Sequence, residues 1–215
     1  MRYKVIIFDW DGTLMDSIAK IVASLKGAAI ECQVCEPTTA QIRHIIGLSL
    51  DKAMATLFPE QSKQTQRLLV DAYRQKYSVL THIETPFYRG IKPWLLQLKA
   101  QGYLLAVATG KGRAGLDSLM DKFAVKDLFS TTYCADETAS KPDPLMLTKI
   151  LDDLNLNVSQ ALMVGDSSYD LAMANSVGMD CLAVSYGVHN KQILSQFKPI
   201  AIVDDLPKEF DLHVQ

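Results

Sequence analysis

Residues 5–17 read VIIFDWDGTLMDS, and the interpretation of the whole chain starts from this stretch. Its first four residues are apolar, which is typical of a short strand buried on both faces. The strand ends at Asp9 and Asp11, whose side chains share one face while the backbone stays extended. Gly12 then permits a sharp turn out of the strand. Ligands of open α/β sheets bind at the carboxyl ends of strands, so we expect a functional site here.

Two carboxylates this close together repel each other and need compensation. A divalent cation that prefers oxygen ligands would provide it, and so would a proton on one of the acids. Asp9, ionised at neutral pH, could act as a nucleophile, with Asp11 as the group that donates and accepts protons. A helix-capping turn would explain Asp16 and Ser17 equally well. It does not explain two acids directly after an apolar strand.

The composition narrows the class of protein. The chain has 215 residues, enough for one large domain or for a core with a smaller inserted domain. A net charge of −2 gives no basic surface for nucleic acid. The chain contains no apolar run of transmembrane length, and its first apolar run is too short for a signal peptide. We therefore expect a cytoplasmic protein without nucleic-acid or membrane partners; the sequence specifies no oligomeric state.

The four cysteines do not form a disulfide framework. Cys32 and Cys35 make a single C-x-x-C pair that lacks a second pair to complete a zinc site. Because this pair follows a helical pattern, we interpret both residues as ordinary thiols.

The chain changes its periodicity twice. Residues 16–85 carry apolar residues at helical spacing and contain no segment that resembles a strand. After Pro86, strands and helices alternate. Predicted strands lie at 104–108, 129–135, 161–164, 181–184 and 200–203, and predicted helices include 142–154 and 170–177. This alternation predicts an α/β fold with a doubly wound parallel sheet, formed by residues 1–15 and 86–215 and interrupted by a helical module at 16–85.

Further polar groups follow other predicted strands. Thr109 and Gly110 offer a hydroxyl and a backbone N–H that suit a phosphate oxygen, although turn chemistry explains them as well. Lys141 precedes a helix that Pro142 can open and would offset an aspartate and a phosphate together. Asp166 could reach a metal at the sheet edge, and Asp170 could do the same or simply cap a helix.

A rival interpretation rests on Gly110–Gly115, which fits the G-x-G-x-x-G fingerprint of dinucleotide-binding proteins, with Asp136 at a suitable distance. It predicts an oxidoreductase. We rank this interpretation second because it assigns no function to four charged residues, namely Asp9, Asp11, Lys141 and Asp166.

The segment Phe8–Leu14 resembles motif I of the haloacid dehalogenase superfamily of phosphatases and phosphomutases. Thr109, the Lys-Pro-x-Pro segment starting at Lys141, and the Gly-Asp-Ser-x-x-Asp segment ending at Asp170 resemble the other three motifs, in the same order. The resemblance implies a Rossmannoid core, a helical cap domain of type C1 at residues 16–85, and Mg²⁺ as cofactor.

The resemblance also implies a mechanism in two steps. Asp9 attacks the phosphorus and becomes an aspartyl-phosphate, while Asp11 protonates the leaving alkoxide and then deprotonates water. Mg²⁺ would be held by Asp9, the backbone carbonyl of Asp11 and Asp166, with Asp170 as a ligand or a supporting group.

In the same scheme, Thr109, the Gly110 N–H and Lys141 hold the phosphoryl oxygens. Many relatives carry Asn where this chain has Gly110, so one side-chain donor is missing here.

The segment Ile45–Leu50 resembles the I-G-x-x-L of phosphoglycolate-phosphatase-like members. Sugar phosphomutases usually carry an Arg shortly after this Gly, and residues 48–51 contain none. We therefore predict a phosphatase for a small phosphate ester, phosphoglycolate-like or a sugar phosphate, with specificity set near Arg43, His44 and Gly47. A β-phosphoglucomutase-like enzyme is the first alternative. A non-catalytic phospho-aspartate switch is the least favoured, since all the catalytic groups are present.

Overall fold

The computed structural model describes residues 2–214. The six strands are β1 Val5–Phe8, β2 Leu104–Thr109, β3 Thr131–Cys134, β4 Ala161–Gly165, β5 Asp180–Val184 and β6 Ala201–Val203. The helices are α1 Ile18–Glu31, α2 Thr39–Ile45, α3 Leu50–Leu57, α4 Lys63–Val79, α5 Ile91–Ala100, α6 Arg113–Phe123, α7 Leu145–Leu154, α8 Ser168–Ser176, α9 Lys191–Ser195 and α10 Leu206–Val214. The strands form one parallel sheet in the order β3-β2-β1-β4-β5-β6, which confirms the predicted α/β class.

Strand β1 lies in the middle of the sheet and is buried throughout. It pairs with β2 on one side and β4 on the other, so that Phe8 lies opposite both Val107 and Val164. The chain order reverses around β1, and such a switch point leaves a crevice at the carboxyl ends of the strands. The residues that follow β1, β2 and β4 therefore meet at one edge.

The alternation of side chains along the strands supplies two apolar layers, one on each face of the sheet. Ile6 and Phe8 face α5, α6 and α10, where the ring of Trp94 packs edge-on against Phe8 with centroids 5.8 Å apart. Val5 and Ile7 face α7 and α8 on the other side. Helices thus cover both faces, as a buried parallel sheet requires.

Helices α1–α4 follow β1 directly and build an apolar core of their own. We call residues 16–85 the helical insert. One face of α1 carries Ile18, Ile21, Leu25 and Ala28 and packs against α4. The side chains of Thr38, Ser49 and Ser62 cap the next three helices. As predicted, the insert contains no strand, and all of its residues are described.

Three predicted boundaries are wrong by a few residues. Helix α7 begins at Leu145, not at Pro142, because the residues before Pro142 and Pro144 are driven out of the helical conformation. Helix α8 begins at Ser168 rather than Asp170, since Ser167 provides the cap. Strand β3 is shorter than the predicted 129–135 and spans Thr131–Cys134.

All four cysteines are free thiols, in agreement with the sequence. Among residues 2–214, no helix combines the length and the apolar character needed to cross a bilayer.

Candidate active site

The centre of the site is an ion-paired group of three side chains from three different strand ends. Asp9 follows β1, Lys141 lies between β3 and α7, and Asp170 lies in the first turn of α8. The Lys141 Nζ donates to Asp9 Oδ1 and to Asp170 Oδ1, both at 2.6 Å. Lys141 and Asp170 are fully buried and Asp9 is 1% exposed. The two ion pairs and the burial therefore hold the Lys141 ammonium in a fixed position.

Asp170 uses both of its carboxylate oxygens in hydrogen bonds. While Oδ1 accepts from Lys141, Oδ2 accepts from the Ser167 backbone N at 3.1 Å and from Ser167 Oγ at 2.6 Å. Position 165 must be glycine, since a Cβ there would lie 2.4 Å from the Asp170 Cβ. Of the two roles left open by the sequence, these contacts favour the supporting one, in which Asp170 orients Lys141.

Asp166 is held by neutral donors alone. Its Oδ1 accepts from Thr13 Oγ1 and its Oδ2 from the Val188 backbone N, both at 2.8 Å. A Cβ at Gly12 or Gly187 would lie 2.3 Å or 2.2 Å from Asp166 Oδ2, so glycine is required on both sides of this carboxylate. Burial, together with the charge of Asp170, raises the pKa of Asp166 to about 7.

These groups fit a divalent cation. Asp9, Asp166 and Asp170 each place a carboxylate oxygen within 4.8 Å of the others, all buried, and a single ammonium, that of Lys141, lies among them. Burial, with the charges of Asp170 and Asp166, also raises the pKa of Asp9, although Lys141 opposes this. The negative charge of the three acids is therefore only partly compensated. Oxygen ligands of this kind suit Mg²⁺. Within residues 2–214, Asp9 Oδ2 accepts no hydrogen bond and Asp166 forms no ion pair, so these two carboxylates are better suited to a metal than Asp170, which is paired with Lys141.

Asp11 belongs to a different network. Its Oδ1 accepts from Ser17 Oγ at 2.7 Å, and its Oδ2 lies 3.1 Å from the Lys111 Nζ. The side chains of both partners are almost buried, Lys111 being 10% and Asp11 12% exposed. The Lys111 Nζ also lies 5.1 Å from the centre of the Tyr77 ring, which belongs to α4. Asp11 thus faces the helical insert.

Thr109 and Gly110 lie at the end of β2, in the same edge. Thr109 is 1% exposed, and its Oγ1 accepts from the Lys111 backbone N at 3.2 Å. A Cβ at position 110 would lie 2.5 Å from the Gly47 carbonyl oxygen and 2.6 Å from that of Leu48. The helical insert therefore approaches the backbone of Gly110 so closely that a side chain at position 110 does not fit.

The predicted specificity residues lie where the helical insert contacts the sheet edge. One Arg43 guanidinium nitrogen donates to the Gly187 carbonyl at 2.6 Å, and the His44 carbonyl accepts from Tyr169 Oη at 2.9 Å. Gly47 adopts a φ of +105° beside Ser167. These contacts hold the insert in place; the role of Arg43, His44 and Gly47 in substrate binding stays a prediction.

The structure argues against the dinucleotide interpretation. The Arg113 backbone N, at the start of α6, donates to both carboxylate oxygens of Asp136, at 3.1 Å and 3.0 Å. A pyrophosphate would need this helix start, and a ribose would need the acid. Because the start of α6 and Asp136 are hydrogen-bonded to each other, neither is available to a dinucleotide. The carbonyls of residues 47 and 48 also cover Gly110.

Several residues of the site were not identified from the sequence. Thr13, Ser17, Lys111, Ser167 and Val188 all bind one of the aspartates. Ser167 and Thr13 stand inside the recognised motifs, and Lys111 directly follows Gly110, so closeness in sequence could have suggested these three. Val188 acts through its backbone, which leaves no signal in the choice of residue.

Comparisons with known proteins identify the family. The family described as haloacid dehalogenase-like hydrolase matches residues 6–184. A phosphoglycolate phosphatase of Vibrio cholerae is 29% identical over 215 residues, which cover 94% of this chain and 93% of that protein. A probable phosphatase, IndB, of Dickeya dadantii is 32% identical and covers 93% of this chain and 89% of its own. The crystal structure of a predicted phosphoglycolate phosphatase from Haemophilus somnus superposes with a TM-score of 0.89 at 25% identity, covering 99% of this chain and 98% of the other. The chain belongs to the haloacid dehalogenase-like hydrolases.

Proposed function

We propose that this hydrolase is a Mg²⁺-dependent phosphatase that cleaves a small phosphomonoester through an aspartyl-phosphate on Asp9. The observation that carries the proposal is the buried contact of Lys141 with Asp9 and Asp170, 2.6 Å on each side, next to the under-compensated carboxylate of Asp166. A cation, a nucleophile and a place for a metal thus converge at the end of β1.

Asp9 acts as the nucleophile in the proposed reaction. Lys141 holds its Oδ1, while its Oδ2 makes no hydrogen bond with any of residues 2–214. In the first step this oxygen forms a bond to phosphorus as the bond from phosphorus to the ester oxygen breaks. Attack of an anion on an anion needs a positive field, and Mg²⁺ held by Asp9 and Asp166 would supply part of it.

Asp11 serves both steps as acid and then base. It gives a proton to the departing ester oxygen, so the alcohol leaves neutral. In the second step it takes a proton from a water whose oxygen attacks the phosphorus, and the bond to Asp9 breaks. Ser17 and Lys111 hold the two carboxylate oxygens of Asp11 in one orientation for these transfers.

Three groups are suited to hold the phosphoryl oxygens. They are the hydroxyl of Thr109, the backbone N–H of Gly110 and the ammonium of Lys141. Burial opposes the charge on Lys141, but the carboxylates of Asp170 and Asp9 outweigh this effect and raise its pKa, so it stays charged across the neutral range. Fixed donors and charges in a buried site stabilise a transition state without reorganising.

The substrate class that we propose is a small ester, phosphoglycolate-like or a sugar phosphate. The support comes from relatives named phosphoglycolate phosphatase.

The test is phosphate release from a panel of small phosphomonoesters, with Mg²⁺ and with a chelator instead. We expect hydrolysis by the wild type that requires the metal and is lost in Asp9→Asn. Asp71→Asn, a change at a side chain that is 73% exposed on α4, is the matched control and should leave the rate unchanged. Full activity of Asp9→Asn would overturn the nucleophile. Transfer of phosphate to a second hydroxyl of the sugar, without release, would favour the mutase.

A further inference from the structure

The side of the site that faces the helical insert contains a cation that the proposed mechanism uses only to orient Asp11. This cation is the ammonium of Lys111, 3.1 Å from Asp11 Oδ2 and 10% exposed as a side chain. Its stem runs along the first turn of α6, since a Cβ at Gly115 would lie 3.4 Å from the Lys111 Cγ. The position of the ammonium is therefore set by the fold.

Positive charge exceeds negative charge around Lys111. Two ammonium groups lie near the ring of Tyr77, with the Lys111 Nζ 5.1 Å and the Lys20 Nζ 4.7 Å from its centre. Burial and then the charges of Lys122 and Lys111 lower the pKa of Lys20, which reflects this crowding of cations. Within residues 2–214, Asp11 is the one acid that forms an ion pair with any of the three lysines.

The same region holds a buried hydroxyl. The hydroxyl of Tyr77 lies beside the side chains of Thr85 and Lys111 and, among the described residues, forms no hydrogen bond of normal geometry. A buried hydroxyl without a well-formed hydrogen bond is costly, and a ligand atom that accepts from it would reduce that cost. A hydroxyl beside an ammonium suits an anionic group.

The chemistry of the proposed reaction places the leaving group in this space. Asp11 has to pass its proton to the ester oxygen, so that oxygen lies within hydrogen-bond distance of the Asp11 carboxylate. Because the Lys111 Nζ lies against the same carboxylate, a group carried on the neighbouring carbon of the alcohol comes within its reach.

We infer that Lys111 is a specificity-determining residue that binds a carboxylate on the leaving alcohol, with the hydroxyl of Tyr77 as a second donor. This inference rests on the proposed phosphatase activity and narrows its substrate to esters of small hydroxy acids. Mg²⁺ and Lys141 then serve the phosphoryl end of the substrate, and Lys111 serves the other end.

The experiment compares two esters that differ in this group alone. Phosphoglycolate carries the carboxylate, and 2-hydroxyethyl phosphate carries an uncharged hydroxymethyl group in its place. The wild type should prefer phosphoglycolate in kcat/KM. Lys111→Met should reduce this preference by about 10- to 100-fold, the usual effect of losing a hydrogen bond to a charged group.

The ratio of the two esters separates substrate binding from support of Asp11, because any damage to Asp11 slows both reactions equally. Lys20→Met is the matched control, since the Lys20 ammonium also lies near the Tyr77 ring but forms no ion pair with Asp11. It should change the ratio by less than about threefold, as expected for a cation without direct contact. Lys111→Arg keeps the charge and should keep most of the preference, and it provides a second test should the Met variant not fold.

An unchanged ratio in Lys111→Met would overturn this inference while leaving the phosphatase intact. The inference would also be overturned if Lys20→Met lowered the ratio of kcat/KM for the two esters as much as Lys111→Met does. That result would mean that the preference arises from the overall positive potential and not from a direct contact with Lys111. Hydrolysis of neither ester by the wild type, while other esters are cleaved, would also overturn it. If the wild type hydrolysed no phosphate ester at all, the proposed function itself would be refuted.

Discussion

The two sides of the active site have opposite charge imbalances. On the side of the nucleophile, three buried acids, Asp9, Asp166 and Asp170, share the ammonium of Lys141. On the side of the helical insert, the ammonium groups of Lys111 and Lys20 crowd the ring of Tyr77, and Asp11 is the paired acid. The nucleophile side therefore favours the binding of a cation, and the side of the helical insert favours the binding of an anion.

The two sides also differ in how they are built. The nucleophile side lies entirely at the edge of the sheet, where three strand ends converge and almost no water reaches the side chains. The other side forms only where the helical insert meets that edge, through contacts such as that of Gly110 with the carbonyls of residues 47 and 48. The comparison suggests that the chemistry is fixed by the core, while the choice of substrate depends on the insert.

The largest expected effect concerns Lys141. In Lys141→Met, Asp9 and Asp170 stay buried without their cation, so the free energy of unfolding should fall by about 3–5 kcal/mol in urea titrations without Mg²⁺. Activity should be lost as well. The control is Lys208→Met, at a side chain that is 79% exposed, where a change within about 0.5 kcal/mol is expected. If the free energy of unfolding fell no more in Lys141→Met than in Lys208→Met, the stability of the nucleophile side would not depend on the Lys141 ammonium.

Gly110→Ala tests the junction of the two sides. A Cβ 2.5 Å from the Gly47 carbonyl forces the insert away, which should cost about 1–3 kcal/mol and lower kcat/KM by about tenfold or more. Hydrogen exchange at the Ser49 backbone N–H, which donates to Ser140 Oγ at 2.8 Å across the junction, should speed up. In Gly115→Ala, inside α6, the new Cβ makes only ordinary contact at 3.4 Å, and no loss is expected. If Gly110→Ala and Gly115→Ala had the same stability, kcat/KM and hydrogen exchange, the insert would not be packed closely against Gly110.

The raised pKa of Asp166 predicts how Mg²⁺ binding depends on pH. Its pKa is about 7 in the folded chain and about 4 in the unfolded chain, so the folded protein without metal retains a proton that the unfolded chain has lost. Its stability should therefore decline as pH rises from about 4 to about 7. Since Mg²⁺ must displace this proton, apparent affinity should fall by up to about tenfold per pH unit below pH 7.

The measurement is the rise in Tm caused by Mg²⁺, which should be larger at pH 8 than at pH 6. Asp166→Asn should reduce both the rise and its pH dependence. An equal rise in Tm at pH 6 and pH 8 in the wild type would contradict the raised pKa of Asp166 and its role in binding Mg²⁺.

The smallest effect is expected at Arg43. Its guanidinium binds the Gly187 carbonyl at 2.6 Å, and the Val188 N–H of the same loop holds Asp166. Arg43→Met should lower kcat/KM by about three- to tenfold, the effect of one hydrogen bond, for every ester alike. Arg74→Met, at an exposed side chain on α4, should have no effect. A loss confined to one class of ester would instead assign Arg43 to substrate binding.

The sequence was sufficient for much of the nucleophile side because Asp9 and Asp166 directly follow strands and Thr109 ends one. Asp9, Thr109 and Asp166 could be placed at one edge once the parallel alternation was recognised, and the described structure has them there. The contacts of the insert could not be predicted in this way. The close approach of residues 47 and 48 to Gly110 depends on how α1–α4 rest on the sheet, which no local pattern specifies. The start of α7 was misplaced because two prolines were interpreted as opening the helix, although the residue before each is kept out of it.

The most direct test of the central claim is to trap the phosphorylated enzyme. Acid quenching of the reaction during turnover, followed by borohydride reduction, converts an aspartyl-phosphate into homoserine, and peptide mass spectrometry locates that residue. The account predicts homoserine at position 9 in the wild type with Mg²⁺ and none in Asp9→Asn. Steady hydrolysis with no modification at position 9, or with the label on another side chain, would contradict it.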